Sequence, residues 1–175
     1  MRLKDKVAIV TGGAMGIGKG IVTVFAREGA KVVIADINEV AGQETEKELR
    51  DQGFEAFFVR CDVSNEEDVK AMIQKTIERY GALHILVNNA GIGVYKSITE
   101  ATREEFERCL AVNLVGPFLC SKYAIPHIKA SGGGSIINIA SVHSVQNVGG
   151  TAPYAASKGG LAALTRAAAI DVARD

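Results

Sequence analysis

KVAIVTGGAMGIGKG, Lys6 to Gly20, is the stretch around which the chain is organised. Val7 to Val10 is an unbroken apolar run, the pattern of a strand buried on both faces of a parallel sheet. Gly12, Gly16 and Gly18 follow with the spacing Gly-x-x-x-Gly-x-Gly, which permits a tight turn, a bare backbone and a close contact between helix and strand. Ile17, Ile21, Val24 and Phe25 then open an apolar stripe of helical period. Strand, glycine turn and helix in that order make a phosphate cradle. Backbone N–H groups without partners face outward at the helix start, and the helix dipole adds about half a positive charge there.

The next strand, Lys31 to Ala35, ends in Asp36, close to the offset at which a dinucleotide-binding βαβ unit sets a carboxylate on the adenosine ribose. Read one at a time, the glycines also suit ordinary turns, and Asp36 a solvated strand end. Read together, they favour NAD over NADP. Asp36 repels a 2′-phosphate, and neither Met15 in the loop nor Ile37 after the acid supplies a basic partner for one.

Outward from this unit, strands and helices alternate. Asn38 caps a polar helix running to Asp51, and Gln52-Gly53 ends it before a strand at Glu55 to Arg60. Ser64 and Glu67 have capping-box spacing, ahead of a buried stripe at Val69, Met72, Ile73 and Ile77 that Gly81 stops. A fourth strand is predicted at Leu83 to Val87, a long helix from Thr102, a fifth strand at Ile136 to Ala140 and an alanine-rich helix at Ala155 to Ala173. This alternation implies an α/β fold, a doubly wound parallel sheet with right-handed crossovers.

Composition narrows the partners. The 175 residues, 47% hydrophobic and 23% charged, suit one globular domain spanning 1–175. Twenty basic and twenty acidic residues cancel, so no long-range field recruits nucleic acid or an anionic membrane, and the expected partner is a small molecule. No stretch reaches membrane-spanning length and no secretory segment precedes Val7, which points to the cytoplasm. Cys61, Cys109 and Cys120 are odd in number and lack metal-ligand spacing; we expect reduced core thiols and no metal site.

A doubly wound sheet binds ligands beyond the carboxyl ends of its strands. Those ends carry Thr11-Gly12, Asp36, Cys61-Asp62-Val63, Asn88-Asn89-Ala90-Gly91 and Ser141. With TGGAMGIG at 11–18, Asp62, NNAG at 88–91, Asn113, Ser141 and the spacing from Tyr154 to Lys158, the chain resembles the short-chain dehydrogenase/reductase family of Tyr-x-x-x-Lys type along its whole length. The resemblance is to members such as glucose 1-dehydrogenases and 3-oxoacyl-carrier-protein reductases. It implies a Rossmann fold of strand order 3-2-1-4-5, a nicotinamide cofactor, and the interconversion of a secondary alcohol and a ketone. It further implies a catalytic group of Asn113, Ser141, Tyr154 and Lys158. The implied cofactor contacts are Gly12, Met15, Gly16, Ile17, Gly18, Asp36, Ile37, Asp62, Val63, Asn89, Ala90, Gly91, Tyr154 and Lys158, with Asp62 near the adenine. By the same resemblance two further strands and a substrate-covering segment follow position 175. The chain ending at Arg174-Asp175 is therefore expected to be C-terminally truncated, and a non-catalytic dinucleotide-binding module stays open as the alternative.

Tyr154 and Lys158 are four apart and share one helix face. A tyrosine ordinarily titrates near 10, and a lysine ammonium beside an oxidised nicotinamide would stabilise its phenolate, making Tyr154 a general base in oxidation and a general acid in reduction. Ser141 would bond the substrate oxygen and Lys158 a cofactor ribose. His143, two residues beyond Ser141, stays outside this catalytic set. Pro117 has no N–H to give to the Asn113 carbonyl, so the long helix is expected to kink there and free that carbonyl for a water that relays protons to Lys158. Small residues spread around the last helix, Gly159, Gly160, Ala162, Ala163 and Ala167 among them, lead us to expect a homo-oligomer, dimer or tetramer.

Overall fold

A computed structural model of the chain describes residues 1–173. In chain order the elements are β1 (Val7–Thr11), α1 (Gly16–Arg27), β2 (Lys31–Asp36), α2 (Glu39–Asp51), β3 (Ala56–Arg60), α3 (Glu66–Tyr80) and β4 (Ile85–Asn88). There follow α4 (Arg103–Leu110), a π-helical turn at Ala111–Val115, α5 (Gly116–Ala130), β5 (Ser135–Asn138) and α6 (Ala152–Asp171). The strands pair in parallel in the order β3-β2-β1-β4-β5, as expected. β4 and β5 sit one or two residues from their predicted bounds, and α6 begins three residues early, with a proline in its first turn. Arg174 and Asp175 lie outside the described residues.

Side-chain alternation along the central strands builds two cores. Val7 and Ile9 of β1, with Val33 and Leu86, pack under α3 and α5 through Met72, Leu119, Cys120 and Ala124. Ala8 and Val10, with Ile34 and Val87, pack under α1 and α2 through Val22, Ala26 and Leu49. Each aliphatic side chain fully buried in this way contributes about 1.5–3 kcal/mol. Because both faces are covered, β1 reads as a continuous apolar run. The cysteines are free and buried, and burial pushes the Cys61 thiol up to about 12 and raises that of Cys120 as well.

Local chemistry revises four expectations. On α1 the buried residues are Gly18, Val22 and Ala26, flanked by Ile21 and Phe25, whereas Ile17 and Val24 are exposed. The close approach of Gly18 to the β1 turn fixes the rotation of the helix, one residue away from the predicted stripe. Asn65, not Ser64, caps α3 by accepting from Glu67 N and Asp68 N (2.9 and 3.2 Å), because Ser64 turns back onto Asp62. The capping box stands instead at Thr102 and Glu105, with bonds of 3.0 and 3.2 Å. Finally, the long helix meets Pro117 with a π-turn that the sequence did not announce, in which Gly116 N donates to Ala111 O. Joined across that turn, Arg103–Ala130 is a 28-residue helix long and apolar enough to cross a membrane, contrary to expectation. Leu119, Cys120, Ala124 and Ile128 on its inner face belong to the core.

Candidate active site

Thr11 ties the end of β1 to the end of β4. Its hydroxyl donates to Val87 O (3.3 Å) and accepts from Asn89 N and Ala90 N (3.0 and 3.1 Å). Asn89 returns the contact, its amide donating to Thr11 O and Gly12 O (3.0 and 3.1 Å). The glycine loop is thereby clamped onto the sheet. Gly12 has φ +63°, and a Cβ on Gly18 would lie 1.9 Å from Gly12 O, so the start of α1 meets the loop at a distance only glycine permits.

Above that contact the helix start is open. Met15 provides no side-chain cap and the first turn of α1 has no acid, whereas α2, α3 and α4 each begin with a capping side chain and an acidic residue. No atom lies within 4 Å of a Cβ built on Gly16. Unpartnered N–H groups, the helix dipole and open space suit the phosphates of a dinucleotide. Met15, Ile17 and Ile37 stand exposed beside them. Asp36 is buried at the tip of β2 and accepts from Ala14 N (3.0 Å) on one oxygen and Asn38 N (2.9 Å) on the other. Each oxygen keeps a further lone pair, as a ribose diol requires. Asp62 accepts from Ser64 N and Oγ (2.9 and 2.7 Å), and Val63 is buried against Gly116.

Across the rim, Lys158 is buried on α6, and its ammonium donates to Ile139 O (2.8 Å) while standing 5.8 Å from the centroid of the Tyr154 ring. Burial lowers its proton affinity, against a smaller opposing effect of Cys109. Asn113, at the middle of the π-turn, is a clasp. Its Oδ1 accepts from Ile92 N (2.8 Å), and its Nδ2 donates to Ile92 O (2.9 Å) and Ser157 Oγ (3.0 Å). Ser157 donates in turn to Tyr154 O (2.7 Å). A Cβ on Gly91 would lie 3.2 Å from Asn113 Oδ1 and 3.6 Å from Lys158 Nζ, so that glycine is the joint where loop, π-turn and α6 meet. Ser141 Oγ accepts from His143 N (3.2 Å) at the start of a short 3₁₀ turn and keeps its own proton to donate.

The structure therefore gathers Asn113, Tyr154, Lys158 and Gly91 at one end of the rim and Gly12, Gly18, Asp36, Asn89 and Ala90 at the glycine loop. Sequence reasoning passed over Ser157; it set Thr11 on the rim without its clamping role, and Tyr95 and His143 within the loops 92–97 and 142–151 expected to select the substrate, outside the catalytic set. Ser157 and Thr11 serve through hydrogen bonds to distant residues, and only Ser157, one turn from Tyr154, carried a spacing signal. Tyr95 stacks on Tyr154 with centroids 5.5 Å apart, and His143 meets the same ring edge-on at 5.9 Å.

The sequence pattern of the family described as short chain dehydrogenase matches residues 6–175. A Thermotoga maritima protein, named only as an uncharacterized oxidoreductase, is 51% identical over 98% of this chain and 67% of its own length. An L-fucose dehydrogenase of Oryctolagus cuniculus is 45% identical over 97% of this chain and 58% of its own length. A cyclopentanol dehydrogenase of Comamonas testosteroni is 38% identical over 98% and 69%. The chain thus spans about 58–69% of the length of these relatives.

Proposed function

The chain belongs to the short-chain dehydrogenase family, and from that premise we propose that it serves an NAD-dependent interconversion of a secondary alcohol and a ketone, with Tyr154 as general acid and base. The observation that carries this reading is the Lys158 ammonium, anchored on Ile139 O at 2.8 Å and held 5.8 Å from the centroid of the Tyr154 ring. Its fixed charge stabilises negative charge on the phenolic oxygen as a proton leaves. The uncapped start of α1, with Gly12, Gly16 and Gly18, would hold the pyrophosphate, and Asp36 the adenosine ribose. Asp62 and Val63 would lie toward the adenine.

When bound, the dinucleotide supplies the hydride acceptor, or the hydride donor in reverse. Tyr154, as phenolate, takes the alcohol proton as the O–H bond breaks, and the carbinol C–H electron pair departs as hydride, leaving C=O. Ser141 donates its hydroxyl proton to the substrate oxygen and orients it. Two ammonium protons of Lys158 remain beyond its bond to Ile139, one for a cofactor ribose and one for a water on the Asn113 carbonyl that returns protons to solvent.

Spectrophotometric oxidation of secondary alcohols tests this directly. Tyr154→Phe should lower kcat by about 10²–10⁴-fold while NAD affinity is retained. NAD should bind at least about tenfold tighter than NADP, a difference of about 1.4 kcal/mol. Undiminished turnover in the variant would overturn the mechanism, and tighter binding of NADP the cofactor assignment.

A further inference from the structure

The buried face of α2 carries one polar side chain. Gly42, Thr45 and Leu49 stand along it, and Thr45 is 1% exposed. A Cβ on Gly42 would lie 2.0 Å from the Phe58 ring, so α2 rests closer to β3 than a side chain there would permit. That approach brings Thr45 to the glycine loop, where its Oγ1 donates to Ala14 O (2.9 Å). The other threonines inside helices spend their hydroxyls differently. Thr23, Thr76 and Thr165 each donate to the carbonyl four residues earlier on their own helix, Lys19 O, Met72 O and Leu161 O, at 2.7, 2.8 and 2.7 Å. Thr45 instead leaves its helix for a loop 31 residues earlier in the chain.

The contact completes a clamp around one buried residue. Ala14 N donates to Asp36 (3.0 Å), and Ala14 O accepts from Thr45. A trans peptide points its C=O and its N–H to opposite sides. With Ala14 O drawn toward α2, the N–H of Met15 in the same peptide points away from α2, and it has no backbone partner among the described residues. Met15 stands immediately before α1, so this is the first of the bare amides at the helix start. We propose that Thr45 is a positioning residue for cofactor binding: its hydroxyl fixes the Ala14 peptide so that Met15 N–H stays free for the dinucleotide and Ala14 N–H stays on the Asp36 carboxylate. Without that hydroxyl Ala14 O is buried with no side-chain donor, and the loop relaxes to find one. This inference rests on the reading of the glycine loop as a dinucleotide site, and on α2 alone for the role of Thr45.

Calorimetric titration of the full chain with NAD, and amide exchange followed by NMR without it, test the role. Thr45→Val keeps the branched shape and loses the hydroxyl. It should bind NAD at least about tenfold more weakly than the wild type. In the absence of NAD its Ala14 amide should exchange at least about tenfold faster, while the amides of β1 exchange as in the wild type. Thr45→Ala, also without a hydroxyl, should repeat both effects, and Thr45→Ser should return both toward the wild type. Thr76→Val removes a buried threonine hydroxyl of the ordinary helical kind from α3 and should change neither. In turnover, the loss in Thr45→Val should appear in KM for NAD more than in kcat. Unchanged affinity in Thr45→Val, an unchanged Ala14 amide, equal weakening in Thr76→Val, or failure of Thr45→Ser to recover binding would overturn the proposal. A wild type that binds NAD, weakens in Thr45→Val and transfers no hydride would refute the oxidoreductase reading and leave this proposal standing. A wild type that binds neither NAD nor NADP would refute the dinucleotide reading and this proposal together.

Discussion

His84 shows how a single ring can couple the sheet to pH. Its Nδ1 accepts from Val7 N (3.1 Å) at the start of the central strand, and burial, with the charge of Lys6 as a smaller cause, holds its proton affinity below the ordinary histidine value. Protonation forfeits that bond, so the unfolded chain takes up the proton first, near its ordinary value of about 6.5. Stability should therefore be complete above that pH and decline as pH falls toward the lower folded value. Urea midpoints at pH 7.5 and 5.5 check it: the wild type should lose more stability on acidification than His84→Asn, and identical losses would contradict the assignment. At this scale, residues whose positions are set by the local chain were legible. Asp36 follows from its place at the strand tip, and Tyr154 with Lys158 from helical spacing. Asn113 was named through the family resemblance and through its carbonyl near Pro117, but the partners of its side chain were not. Its amide clasps Ile92 and Ser157, 21 and 44 residues away, and no local pattern encodes such partners.

In the proposed function, the start of α1 is the element on which cofactor binding would turn. A methyl group on Gly18 would stand 1.9 Å from Gly12 O, and one on Gly20 would meet nothing within 4 Å. Gly18→Ala should destabilise the fold by about 1–3 kcal/mol through overpacking and weaken NAD binding at least about tenfold. Gly20→Ala, on the same helix, should leave binding intact and raise stability by about 0.5–1 kcal/mol. Thermal melts with NAD titrations decide, and a Gly18→Ala protein that melts and binds as the wild type does would contradict the cradle. The same contact explains why the hydrophobic stripe of α1 was misplaced: periodicity gives the width of an apolar face, but Gly18 sets which way it points. Likewise Ser64 has the composition of a cap and loses the role to Asn65, because Asp62 two residues earlier claims its hydroxyl.

Across the whole molecule, the parallel doubly wound sheet was readable because each apolar run alternates with a helix and parallel crossovers keep one hand, whereas the strand order came from the family resemblance. Where β5 stands at the sheet edge, the sequence said less. There α5, β5 and α6 border a cleft of about 500 Å³, lined by Phe118, Ile125, Ile136 and Leu164, far along α6 from Tyr154. The rim at the carboxyl ends is instead where separate elements converge: α1 offers its bare N-terminus, β2 its carboxylate, and α6 the Tyr154–Lys158 pair. That convergence is the central claim, and hydride transfer tests it most directly. The full chain is incubated with NAD and cyclohexanol deuterated at the carbinol carbon, and the dinucleotide is then examined by mass spectrometry. The account predicts that one deuterium moves onto the nicotinamide in the wild type and none in Tyr154→Phe. A dinucleotide that binds to saturation and gains no deuterium would contradict it.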